Sequence, residues 1–106
     1  MIAVLAAFYM TYATGAVAAD IHMLGKGVAA SCGTWSAERK TQTTWLYAGN
    51  WVLGFMSGAA AALNRDFLDG LDSEAVFAWI DGYCRAHPLA RVADAANRLL
   101  EERSRK

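Results

Sequence analysis

The sequence predicts an all-α fold, a small orthogonal bundle of about four helices stapled by one disulfide. Apolar residues recur at intervals of three and four along most of the 106-residue chain, as on one face of a helix. Proline occurs only once, and nine glycines lie among strong helix formers with few β-branched runs. A content of 56% hydrophobic and 19% charged residues is typical of one folded domain.

The first 19 residues read as a leader. Residues 2–19 carry no charge and end in small side chains just before Asp20, the first charged residue. We expect residues 1–19 to be a signal peptide, because their apolar stretch is shorter than the roughly 20 residues of a membrane-spanning helix. No Lys or Arg precedes this stretch, which leaves open an incomplete leader or a misplaced start; an uncleaved anchor and a helix of the folded domain are the alternatives. Residues 20–106 would then be a single helical domain of a periplasmic or secreted protein.

We expect residues 21–31 to form a short helix interrupted by Gly25 and Gly27, and residues 33–44 to form a polar connection.

The central helix, which follows this connection, is the clearest element. It begins at Trp45, and its apolar positions are 45, 48, 49, 52, 55, 56, 59, 60 and 63. No residue charged at neutral pH occurs between Lys40 and Arg65, so this helix is expected to be buried nearly all round.

Two further helices are expected after a polar segment that contains Gly70. Asp72 or Ser73 caps the first of them, whose apolar stripe is Val76, Trp79, Ile80, Tyr83 and Cys84. His87 and Pro88 end it, and Pro88 suits the first position of the last helix. The stripe of that helix is Leu89, Val92, Ala93, Ala96, Leu99 and Leu100.

The two cysteines, Cys32 and Cys84, are expected to form a disulfide. An exported chain meets an oxidising compartment, where an unpaired thiol is a liability. Two Cys and two His at positions 22, 32, 84 and 87 offer no close ligand pair, so we expect no metal site and no cofactor.

The remaining polar patterns do not indicate catalysis. Cys84 and His87 are spaced as a nucleophile and base could be, but a disulfide would remove the nucleophile. Asp66, Asp69 and Asp72 recur by threes, unlike calcium ligands, and indicate a solvated acidic loop. The chain is therefore not expected to be an enzyme.

The charge balance and the tryptophans bear on partners. Ten basic and ten acidic residues cancel, so no basic field favours nucleic acid. Gly54 and Gly58 lie one helical turn apart and suggest a notch for close helix packing. Of four tryptophans, Trp35 lies in the polar segment and is the candidate anchor for a protein partner. No membrane contact is expected after signal cleavage, and a homodimer is left open.

Several segments resemble a known family. Met23-Leu24 with Cys32 shortly after, residues 51–58 (Trp-Val-Leu-Gly-Phe-Met-Ser-Gly), residues 76–80 (Val-Phe-Ala-Trp-Ile), and His87-Pro88-Leu89 before Ala95-Ala96 and Leu99-Leu100 are similar to the Rap/Tai immunity proteins. Members of that family are exported and helical, and they protect bacteria against cell-wall amidase toxins of type VI secretion. A cysteine pair that joins the start of the domain to a late helix also resembles the HdeA/HdeB acid-stress chaperones. Both resemblances imply a periplasmic protein-binding domain, an inhibitor that acts by occlusion in the first case and an acid-stress chaperone in the second.

Overall fold

Five helices form the domain in the computed structural model, which describes residues 20–105. They are α1 Lys26–Ala29, α2 Cys32–Thr41, α3 Trp45–Leu63, α4 Ser73–Ala86 and α5 Val92–Ser104. No strand occurs among these residues, so the predicted all-α fold is confirmed. The signal peptide expected over residues 1–19 lies outside the described residues.

Residues 33–44 were expected to be a polar connection, but most of them form the helix α2. Its apolar periodicity is weak, and only Cys32 and Trp35 of its ten residues are buried. Local and tertiary contacts stabilise it instead. The Ser31 hydroxyl caps it by accepting a hydrogen bond from the Thr34 amide at 3.0 Å, and the helix packs closely on α4.

The central helix α3 has the predicted position, but the expectation that it is buried nearly all round is wrong. One side, with Ala48, Gly49, Val52 and Met56, faces the core. Only 22% of its most apolar 18-residue window is buried, although the helix is long and apolar enough to cross a membrane by length and composition alone. The other helices pack on one side of α3 and leave its opposite side uncovered.

The glycine notch expected at Gly54 and Gly58 is not used within the domain. A Cβ atom built on either residue would meet no described atom within 4 Å. The close approach occurs at Gly49, where a Cβ would lie 3.0 Å from the Phe77 ring of α4. Hence a glycine on the core side of α3 allows the two helices to meet.

The helix α4 begins as predicted, since the Asp72 carboxylate accepts a hydrogen bond from the Ala75 amide at 2.8 Å. Its buried residues are Val76, Phe77, Ile80 and Cys84. Trp79 and Tyr83, placed in the core by the sequence, are only half-buried. Trp79 instead donates a hydrogen bond to Glu102 of α5 at 2.8 Å.

The turn between α4 and α5 differs from the prediction. α4 ends before His87 as expected, but Pro88 lies in a turn and α5 begins only at Val92. Leu89 is therefore not a core residue and is 97% exposed. Two backbone hydrogen bonds, from Cys32 to Ala90 and from Val92 to Ala30, join the start of α5 to the start of α2.

We expect the start of α5 to make stability depend on acid. The hydrogen bond from the Arg91 guanidinium lowers the pKa of the Asp94 carboxyl below its ordinary value, and the carboxylate also accepts from the Arg91 amide at 2.9 Å. A lowered pKa means that the ionised form stabilises the fold above the unfolded pKa of about 3.9 and ceases to do so as the pH falls through the folded pKa. Because the pair is solvated, Asp94→Asn should cost only about 0.5–1 kcal/mol at neutral pH.

Urea denaturation of Asp94→Asn and the parent protein between neutral pH and about pH 3 measures this effect. The difference in free energy of unfolding should shrink toward zero at the acid end. Glu101→Gln, which alters an exposed ion pair with Arg98, is the control and should change stability by less than about 0.5 kcal/mol. A constant Asp94→Asn difference across the whole range would contradict the assignment.

Candidate partner-binding site

Trp51 forms one wall of a groove beside α1. Its indole lies against Gly25 and Gly27, where any Cβ atom would collide with the ring. Gly25 also has φ of 118°, a conformation that favours glycine. The indole N–H donates a hydrogen bond to the Leu24 carbonyl at 2.8 Å. The segment before α1 is thereby held against α3.

The groove has a volume of about 530 Å³. Trp51 stacks on Phe55, with ring centroids 5.4 Å apart and ring planes 4° from parallel. Leu24 stands at the edge with 88% of its surface exposed. The complete lining is Ile21, Met23, Leu24, Trp51, Gly54, Phe55 and Asn97. It is therefore a mainly apolar surface built on hydrogen-bonded and stacked aromatic groups.

Trp35 does not lie on the surface, so the interpretation of this residue as a partner anchor is wrong. It is 1% exposed and packs between Trp45 and Phe77, with ring centroids 5.6 and 6.2 Å away. Its indole N–H donates a hydrogen bond to the Asp81 carboxylate at 2.7 Å. The prediction relied on the polar residues around Trp35 in the sequence. It failed because this segment folds into α2, which directs the indole toward the core.

Asp81 joins Trp35 to a cation. The Arg39 guanidinium donates to the same carboxylate at 2.8 Å and lies 4.2 Å from the centroid of the Trp45 ring. The hydrogen bond to Asp81 raises the pKa of Arg39 above its ordinary value. A second cleft of about 340 Å³ opens here, lined by Ser36, Arg39, Lys40, Asp81 and Arg85. Its cations lie in the last turns of α2 and α4, where they also complement the helix dipoles.

The predicted disulfide is present. Cys32 and Cys84 are bonded with their Cα atoms 4.7 Å apart, and the bond joins α2 to α4. Cys84 is therefore no thiol nucleophile. The His87 ring stacks on Tyr83 at 4.3 Å between centroids, and its Nδ1 lies 3.0 Å from the Tyr83 carbonyl oxygen.

The acidic residues after α3 have structural contacts. Asp72 caps α4, and the Asp69 carbonyl accepts a hydrogen bond from Arg103. Within residues 20–105, no group of three or more His, Cys, Asp or Glu side chains is arranged to hold a metal ion.

Comparison with known proteins adds no relative to this description. No protein-family model, curated protein or solved structure matches the chain. The groove must therefore be interpreted from its own geometry and from the segments that line it.

The groove was not predicted from the sequence, although the sequence contains one signal of it. The glycines Gly25 and Gly27 follow the apolar residues Ile21, Met23 and Leu24. They were expected to interrupt a helix, but they have a different role. They make room for an aromatic ring. The partner of that pair, Trp51, lies 24 positions or more along the chain, so local periodicity could not reveal the contact.

Proposed function

We propose that this protein is an exported, non-catalytic binding domain that inhibits a partner protein by occlusion, with a cell-wall amidase toxin as the partner class. The observation that carries the proposal is the apolar groove beside α1. Exposed apolar side chains gathered on a fixed scaffold are typical of protein interaction sites. Here Leu24 projects from a segment that the Trp51 hydrogen bond holds in place.

The choice of partner class comes from the sequence resemblance. Met23-Leu24 and the segment of residues 51–58 carry the likeness to the Rap/Tai immunity proteins, and both contribute to the groove. An occluding inhibitor needs a rigid surface, since little binding energy is then spent on ordering it. The stacked pair Trp51 and Phe55 provides such rigidity in the groove, and the disulfide fixes α2 to α4 elsewhere in the domain.

Binding to exported peptidoglycan amidases tests the proposal. We expect a stoichiometric complex with a cognate toxin that abolishes cleavage of peptidoglycan, and no turnover by the protein alone. Leu24→Asp should weaken the complex at least about tenfold in calorimetric titration, because it places a charge in the groove. Leu89→Asp is the matched control, since Leu89 is also an exposed leucine but lies outside the groove. Equal affinity of the two variants would contradict the groove, and failure to inhibit any amidase would contradict the partner class.

The acid-stress chaperone is the alternative function. Protonation of all ten carboxylates would leave ten Lys and Arg and two His side chains, so the domain would become strongly cationic. It would also weaken the ion pairs of Arg39 with Asp81 and of Arg91 with Asp94. Suppression of aggregation of an unrelated client near pH 3, together with loss of the near-UV circular dichroism signal, would replace the inhibitor proposal by this one.

A further inference from the structure

The side of α3 that points away from the core has no partner among the described residues. We call it the outer face and define it by Tyr47, Asn50, Gly54, Ser57, Gly58 and Ala61, all of which are exposed. These residues recur by threes and fours, opposite the buried Ala48, Val52 and Met56. The outer face follows a helix about 28 Å long. Most of its residues are small and none is charged at neutral pH, so a second helix can approach the strip without burying a charge.

The two ends of the outer face differ in size. Its first turn carries Tyr47, which is 70% exposed, beside the exposed Leu46. Its middle and last turns carry Gly54, Gly58 and Ala61, and open space lies above both glycines. The midpoint of α3 is Gly54. The outer face therefore has bulky side chains on one side of its centre and a shallow depression on the other.

This arrangement is complementary to itself under a two-fold rotation. If two copies of α3 meet antiparallel at Gly54, Tyr47 of each copy lies opposite Ala61 of the other, and Asn50 lies opposite Gly58. The absence of a Cβ atom at Gly54 lets the two backbones approach closely at the axis. Each large side chain then meets small residues, as the self-complementary interface of a two-fold dimer requires.

The charge pattern also favours a second copy. No Asp, Glu, Lys, Arg or His occurs between Lys40 and Arg65, so pairing α3 with itself brings no like charges together along the whole helix at neutral pH. Asn50 and Ser57 can form hydrogen bonds across the axis and compensate for lost water. We propose that the outer face is the interface of a homodimer in which two α3 helices pack antiparallel about Gly54.

The contact area sets the strength of this dimer. One helix face covers less than the roughly 800 Å² per partner of a standard interface. We therefore expect reversible association with a dissociation constant on the order of 10 μM rather than an obligate dimer. The outer face and the groove beside α1 share Gly54, whereas Gly58 and Ala61 lie outside the groove. A dimer about Gly54 would therefore compete with a partner in the groove, but its test needs no toxin and does not rest on the proposed inhibitor function.

Sedimentation equilibrium of the purified protein tests the interface. The parent protein should sediment as a dimer at about 100 μM and as a monomer at about 1 μM. Gly58→Leu should raise the dissociation constant at least about tenfold, so that about half or more of its chains are monomeric at the higher concentration. Gly82→Leu is the matched control, since Gly82 is also an exposed helical glycine with open space above it. Both changes improve helix propensity, so neither endangers the fold.

Cysteine cross-linking tests the antiparallel geometry. Gly54→Cys should form cross-linked dimers by itself, and Tyr47→Cys mixed with Ala61→Cys should form them as a pair. Ala61→Cys alone should not, because antiparallel packing separates the two copies of position 61. The inference is overturned by a parent protein that stays monomeric at 100 μM, by association of Gly58→Leu equal to that of Gly82→Leu, or by efficient self-cross-linking of Ala61→Cys. Flotation of the monomeric parent protein with phosphatidylcholine vesicles would also overturn it, since a lipid surface would then cover the face.

Discussion

Trp35→Ala is expected to lower the free energy of unfolding by about 3–5 kcal/mol, a large share of the stability of a domain this small. The substitution removes a fully buried indole from between Trp45 and Phe77 and leaves a cavity. It also deprives the Asp81 carboxylate of the hydrogen bond from the indole N–H. Urea denaturation followed by far-UV circular dichroism measures the change.

Two comparisons separate the causes of this loss. Trp35→Phe keeps most of the ring but removes the N–H donor, and it should cost roughly 1–3 kcal/mol because Arg39 still pairs with Asp81. Trp79→Ala is the matched control for removing an indole, and we expect about 1–2 kcal/mol because Trp79 is only half-buried. A cost for Trp79→Ala equal to or greater than that for Trp35→Ala would contradict the position of Trp35 in the core.

The second large effect concerns the disulfide. Replacing both Cys32 and Cys84 with alanine should cost roughly 4 kcal/mol by the loop-entropy argument, since the bond closes a loop with a sequence separation of 52 residues. The bond contributes by restricting the unfolded chain, so the double variant should unfold at a lower urea concentration with a larger m-value.

The pairing itself can be tested by intact mass after alkylation. Without reductant, neither cysteine should react, and after unfolding in reductant both should. The native bond should also resist reductant, because both cysteines are buried in the core. Two freely alkylated thiols in the unreduced protein, or a stability loss under about 1 kcal/mol in the double alanine variant, would contradict this role.

Local patterns were enough to place three of the five helices closely. The spacing of apolar residues from Trp45 predicted α3, and the capping carboxylate of Asp72 predicted the start of α4. The proline after His87 predicted its end. For α5 the repeated apolar positions predicted the helix, but not the turn that exposes Leu89. These signals act within one or two helical turns, so they can be read without knowledge of the fold.

Elements that depend on distant partners were harder to predict. The short apolar pattern of α2 gave no sign that Trp35 would be buried, because its burial depends on Asp81 and Phe77 of α4. The groove beside α1 likewise depends on Trp51 of α3, which reaches the Leu24 carbonyl across the packed helices. Such contacts form only when the chain has folded back on itself.

The sequence alone determined the helical class, the position of the central helix and the cysteine pairing, because two cysteines allow only one bond within a chain. Tertiary structure decided which apolar side chains are covered. Periodicity shows that Val52 and Met56 share one face of α3 and that Tyr47 and Gly54 share another, yet both faces lack charge. Within residues 20–105, the four other helices, one of them only a single turn long, cover one side of this 19-residue helix and leave its outer face uncovered.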